Sequence, residues 1–252
     1  MPGVGAKAST VWYIDTPDPI AVLRSSTTSD WDTASALAGR LFPDRVAVPS
    51  QLSPVSAVAG VGPDEIYIGA YPGVTVVCSA DLAVATPSTL PEPWIHPLAA
   101  ERTYLVMTDP ETAWGAFAYW ERGTLRRSFS ATPIYIYEDS GLPLVWERRF
   151  WAGEHPLVYP SGVMPDPLSL PFHPQEFAEA ANSEWLGYRY TGAPRGDEFD
   201  PISLQVCGFT MYAPGQEPRQ VEQTPPDQAP PEPMPDRSIM RWLKRKSPEP
   251  RS

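Results

Sequence analysis

A chain of 252 residues, 42% of them hydrophobic and with a formal net charge of −11, is long enough to bury a core without the help of disulfides or metals. The charge is uneven: residues 1–212 carry 12 Lys/Arg against 24 Asp/Glu, residues 213–236 one against five, and residues 237–252 six against one. An acidic body repels phosphate backbones, which argues against nucleic-acid binding by the globular part, and no apolar run approaches the roughly 20 residues of a bilayer-spanning helix.

Residues 10–14, Thr-Val-Trp-Tyr-Ile, are β-branched and aromatic and run into Asp15-Thr16-Pro17, which predicts a first strand and a loop. Ser29-Asp30 caps a predicted helix over about 31–42, with Trp31, Ala34, Ala38 and Leu41 on one face and Pro43 as the stop. Two apolar runs within residues 65–79 flank Pro72-Gly73, a pair suited to a tight turn. Residues 87–97 read as proline-broken loop, and residues 103–107 as a strand closed by Asp109-Pro110. Residues 116–120 and 125–129 alternate around a Gly-containing turn, predicting an antiparallel hairpin that residues 133–138 extend into a meander.

Residues 150–174 are rich in Pro, Gly and aromatics and form a long loop of a kind that often carries function. A helix follows over 174–186: Pro174 suits its first turn, Glu176 its dipole and Gly187 its C-terminal cap. A last strand is predicted over 202–211. Strands outnumber helices and the clearest pairing is sequential. The expected class is therefore α+β: a mixed, largely antiparallel sheet with two main helices in a globular domain over residues 1–212. Cys78 and Cys207 lie in apolar strand-like runs and read as buried free thiols in a reducing compartment, hence a cytoplasmic protein. The first seven residues have no apolar stretch of the secretory kind.

These segments resemble a family of uncharacterised actinobacterial proteins known as a domain of unknown function. The likeness lies in Gly5-Ala6-Lys7, Arg40-Leu41-Phe42-Pro43, Tyr71-Pro72-Gly73-Val74, Ala118-Tyr119-Trp120-Glu121, Trp151-Ala152-Gly153-Glu154-His155-Pro156 and Pro171-Phe172-His173-Pro174. It covers about residues 3–212 and implies an actinobacterial intracellular protein. It brings no catalytic residue with it, and the proline-rich tail falls outside it.

The chain has no phosphate-binding Gly-x-x-x-x-Gly-Lys loop, no dinucleotide fingerprint, no Gly-x-Ser-x-Gly elbow and no structural-zinc spacing. No cofactor or metal is implied. The sharpest candidate site is Glu154, His155, His173 and Glu176, which flank the long loop and offer imidazole and carboxylate as ligands or as an acid–base pair. The competing reading is structural: His173 beside a helix start, Glu176 answering the dipole, Glu154 and His155 satisfying loop backbone. Trp146, Phe150, Trp151, Tyr159 and Phe172 suit either a ligand pocket or a core under the loop. Asp197, Glu198 and Asp200 lack calcium-loop spacing and read as a solvated turn. The apolar neighbours of Cys78 argue against a nucleophile.

Residues 213–237 hold eight prolines with Gln and acids and read as a disordered, extended acidic linker. Residues 238–252 form a basic amphipathic tail segment. In a helix from Ser238, Ile239, Trp242 and Leu243 share a face, with Arg241, Lys244 and Arg245 around it. Such a segment suits a partner protein, the acidic domain itself, or peripheral contact with an anionic membrane surface. The first reading is thus a non-enzymatic interaction protein that docks through its tail. The second is a small-molecule or metal-dependent enzyme with a site in the 150–176 loop.

Overall fold

In a computed structural model of the protein, residues 7–26, 28–157, 162, 164 and 166–218 are described. Nine strands form one sheet. In chain order the elements are β1 (Ala8–Ile14), α1 (Pro19–Ser25), α2 (Trp31–Leu41), β2 (Val46–Pro54), α3 (Val55–Val58), β3 (Glu65–Tyr71), β4 (Val74–Ser79), α4 (Glu92–Ile95), β5 (Arg102–Asp109), β6 (Trp114–Glu121), β7 (Thr124–Thr132), β8 (Tyr135–Gly141), α5 (Arg148–Trp151), α6 (Pro174–Leu186) and β9 (Gln205–Tyr212). The strand order is β2-β9-β3-β4-β1-β5-β6-β7-β8. Every neighbouring pair is antiparallel.

The class is therefore a mixed fold dominated by a nine-stranded antiparallel sheet, with α2 and α6 as the longest helices. The hairpin at Pro72-Gly73 and the β6-β7-β8 meander form as the sequence predicts. The helix expected over 174–186 has those bounds. His173 accepts at its N-terminus from the Gln175 backbone N–H, and Gly187, with φ of 77°, closes its C-terminus. The sequence does not point to the short helices α3, α4 and α5, and α4 corrects the reading of residues 87–97 as loop throughout, Pro91 and Pro93 falling at the start of its single turn. Two further segments are also absent from the sequence reading. One is β2, an edge strand with Pro49 and Pro54; the other is α1, capped by Asp18.

Alternating side chains send each central strand's residues to opposite faces of the sheet. On one face Trp12, Val76, Tyr104, Val106, Phe117 and Phe129 pack under α6, α5 and the Phe172 segment. On the other, Val11, Tyr13, Ile68, Leu105, Trp120 and Phe209 pack under α2 and the 80–95 segment. Both faces are covered, so β1 is buried at every residue.

The α6 face contains a fully buried ion pair. Arg127 on β7 donates from Nε and Nη2 to the two carboxylate oxygens of Glu147, at 2.9 and 2.8 Å. Its Nη1 donates to Asp139 and to the carbonyls of Ser128 and Ser140. The Glu147 carboxylate also accepts from the Leu144 backbone N–H at 2.9 Å. Burial opposes the guanidinium's charge, but the hydrogen bonds and charges of Glu147 and Asp139 outweigh it and hold the group above its ordinary pKa. The pair pins residues 144–151 to the sheet. Replacing Arg127 with Met leaves Glu147 buried and unpaired, and should cost about 3–5 kcal/mol in urea denaturation. Adding Glu147→Leu in the same chain should recover most of that loss.

Candidate functional site

Helix α6 crosses the sheet with its N-terminus against β6. At Gly115 a Cβ would lie 2.1 Å from the Pro174 carbonyl oxygen and 2.7 Å from the Gln175 nitrogen, so only glycine lets the first turn sit there. That seating turns one face of α6 to two adjoining spaces, with Ala180, Ser183 and Glu184 lining a main cleft and Gln175, Glu176 and Glu179 a side chamber.

The main cleft has a volume of about 780 Å³. Its walls come from residues 17–20 ahead of and inside α1, from Arg102 and Tyr104 of β5, from residues 144–150, and from α6. Its floor is aromatic. Tyr104 stacks on Trp185 at 4.5 Å and 10°, and Trp146 and Phe150 complete the lining. The Trp146 indole N–H is buried with no hydrogen-bond partner. Three arginines converge here, against Asp18 and Glu184. Arg102 donates to the Thr16 carbonyl and to the Tyr104 hydroxyl. Arg189 pairs with Glu198 at 2.8 Å. The exposed Arg149 guanidinium has no partner among the described residues.

A side chamber of about 130 Å³ adjoins the cleft and shares Phe150, His155 and Arg189 with it. Glu179 is 3% exposed and lines this chamber. Its Oε2 accepts from the Tyr190 backbone N–H at 2.8 Å and its Oε1 from the Thr191 hydroxyl at 3.1 Å. Burial lifts the carboxyl to about 7, against the opposing pull of those hydrogen bonds and of Arg189. Behind it, burial alone would raise Glu198. Hydrogen bonds from Ser183, the Arg195 backbone N–H and Arg189 reverse that and hold Glu198 below the usual carboxylate range.

The four side chains that the sequence singled out are divided. His155 stacks on Phe150 at 4.1 Å and lies at the junction of cleft and chamber. Glu176 lines the chamber. Glu154 is exposed on the turn after α5, its backbone N–H on the Arg149 carbonyl, and it lines neither space. His173 lines neither as well. Its Nδ1 accepts from the Gln175 backbone at 3.3 Å, and burial lowers its pKa against the pull of Glu176, which suits a neutral capping imidazole. No three His, Cys, Asp or Glu side chains come together as metal ligands among the described residues.

Phe150 and Phe172 are core residues, Trp146 and Phe150 also line the cleft, and Trp151 packs edge-on against Phe172. Tyr159 lies outside the described residues. Glu198 holds Arg189, and Asp200 caps the turn at residues 201–203. The tail residues Ile239, Arg241, Trp242, Leu243, Lys244 and Arg245, and nearly all of the acidic linker before them, also lie outside the described residues. Sequence reasoning missed Glu179, Gln175 and the three arginines. The available signal was the polar series Glu176, Glu179, Ser183 at helical spacing beside an apolar stripe.

A family model described as a family of unknown function (DUF6928) matches residues 8–209. The strands, α6 and the whole candidate cleft lie within that match except for the last residues of β9, and the chain belongs to this family. No curated protein and no solved structure matches the chain.

Glu179 gives the site a pH signature. Its folded-state value, about 7, lies above the ordinary value of 4.5 that it has in the unfolded chain. Between these values the folded state holds the extra proton, so this group's contribution to stability falls as pH rises from 4.5 to 7. Relative to Glu179→Gln, the parent should lose up to about 3 kcal/mol across that window. Urea titrations of both proteins at stepped pH measure the difference.

Proposed function

We propose that the protein binds a small anionic molecule with a flat apolar part in the cleft between α6, β5 and residues 144–150. One observation carries this reading. In a chain of net charge −11, Arg102, Arg149 and Arg189 line one cleft with an aromatic floor. Arginine forks suit carboxylate or phosphate, and a stacked Tyr–Trp floor suits a planar ring. Arg102 and Arg189 are oriented by protein partners, which leaves Arg149 to meet the ligand. From the sequence-predicted set this reading retains His155, as a lining residue. A reducing cytoplasm suits the two free thiols, and the resemblance noted above suggests an actinobacterial source.

Trp146 and Trp185 line the cleft, so their fluorescence reports on it. Titration with 3-phenylpropionate should give saturable quenching, and Arg149→Ala should weaken binding about tenfold. A linear, unsaturable response at millimolar ligand would sink the proposal.

A second reading rests on the charge and pattern of the C-terminal segment, with six Lys/Arg against one Glu over residues 237–252 around Ile239, Trp242 and Leu243. Here the tail docks on a partner protein or an anionic surface. Removing residues 213–252 should abolish sedimentation with anionic vesicles or capture of the partner while leaving the cleft's ligand response intact. Capture or sedimentation that survives the truncation discards this reading.

A further inference from the structure

The side chamber contains two groups that the main-cleft reading does not use. The first is Glu179. Each carboxylate oxygen has two acceptor sites, and the protein fills one on each, through the Tyr190 backbone N–H and the Thr191 hydroxyl. The second is Gln175. It is 2% exposed, it lines the same chamber, and its Nε2 is buried with no hydrogen-bond partner. Leaving an amide donor unpaired in the interior costs about 1–3 kcal/mol, and a ligand acceptor would remove that cost. A carboxylate with acceptor capacity left over and an amide with an orphan donor therefore belong to residues that line one small space. Arg195 lines it as well. At about 130 Å³ it has room for about four waters at ~30 Å³ each, or for one small polar head group.

We propose that this chamber receives the head group of a free α-amino acid, its ammonium on Glu179 and its carboxylate on Gln175 Nε2 and Arg195, with an aromatic side chain lying in the adjoining cleft. The inference rests on the aromatic floor of the cleft reading above, names the ligand class for it, and gives the carboxylate to Gln175 and Arg195 in place of Arg149. Phe150, His155 and Arg189 line both spaces, so a molecule that spans the two passes these three side chains.

The ammonium needs Glu179 ionised. Other charged or titratable groups around Glu179 are Glu176 on α6 itself, His155 from the segment after α5, and Arg189, Tyr190 and Arg195 from the loop that follows α6, with Glu198 behind Arg189. β5 presents only the uncharged Thr108. Burial holds the Glu179 carboxyl near 7 in the empty protein, so an amine that pairs with it displaces a proton on binding below that pH.

The test compares L-phenylalanine with 3-phenylpropionate, which differ at the amine, by tryptophan fluorescence on the full chain. At about pH 8 phenylalanine should bind about tenfold tighter. That advantage should vanish at about pH 5.5, and it should be absent at both pH values in Glu179→Gln. Equal binding of the two ligands at the higher pH overturns the inference and leaves the cleft reading standing. Binding of neither overturns both. A pH-dependent advantage that persists in Glu179→Gln assigns the effect to His155 or Glu176 and also overturns the inference. Should Glu179→Gln fail to fold, the two-ligand comparison on the parent protein decides alone.

Discussion

The buried Arg127–Glu147 pair fixes what the α6 face of the sheet can be. An ion pair fully removed from water has to be geometrically complete to be tolerated, and this one is. Two parallel hydrogen bonds join the groups, the spare guanidinium donors reach Asp139 and two carbonyls, and the carboxylate also takes the Leu144 N–H. The rings of Phe117 and Phe129 lie 5.9 Å from the guanidinium carbon. Residues 144–151 have little regular structure of their own, a short turn followed by the four residues of α5. Their placement comes from this anchor. Trp146, Arg149 and Phe150 depend on it, and so does one wall of the cleft.

The opposite wall follows from a different constraint. Glycine at position 115 lets the first turn of α6 touch β6, and the helix then lies across the sheet with Glu179 turned inward and held by residues 190 and 191. Glu179 and Gln175 are 3% and 2% exposed, and burial of a polar side chain is costly unless hydrogen bonds offset it. Tyr190 and Thr191 supply those bonds to Glu179, while the Gln175 Nε2 is left without a partner.

Local chemistry made much of the fold legible in the sequence. Pro174 and Gly187 bracket α6 because one tolerates a missing N–H and the other a left-handed backbone. The turns at Pro72-Gly73 and Arg122-Gly123 were legible for the same sort of reason. β2 was hidden because its prolines and exposed middle follow the rules for an edge strand, which resemble those for a loop. The layer arrangement was less accessible. With both faces of the sheet covered, β1 ends in the unbroken run Val11-Trp12-Tyr13-Ile14, which does not say how many layers enclose it. The cleft was least accessible of all. His155 and Glu176 stood out by residue type, but Arg102, Arg149 and Arg189 meet only through the sheet order and the Arg127 anchor, and nothing near any of them in sequence points to the others.

The two thiols carry a last consequence of the two-faced sheet. Cys78 packs among the residues under α6, where burial pushes it up to about 12, and Cys207 packs among those under α2, on the Ser29 hydroxyl. A sheet of backbone separates them, so an oxidant cannot join them without dismantling the fold. Each is instead a native reporter on its own layer. Alkylation of Cys78 records exposure on the α6 side of the sheet and alkylation of Cys207 exposure on the α2 side, so the two rates tell whether the two layers open together or one at a time.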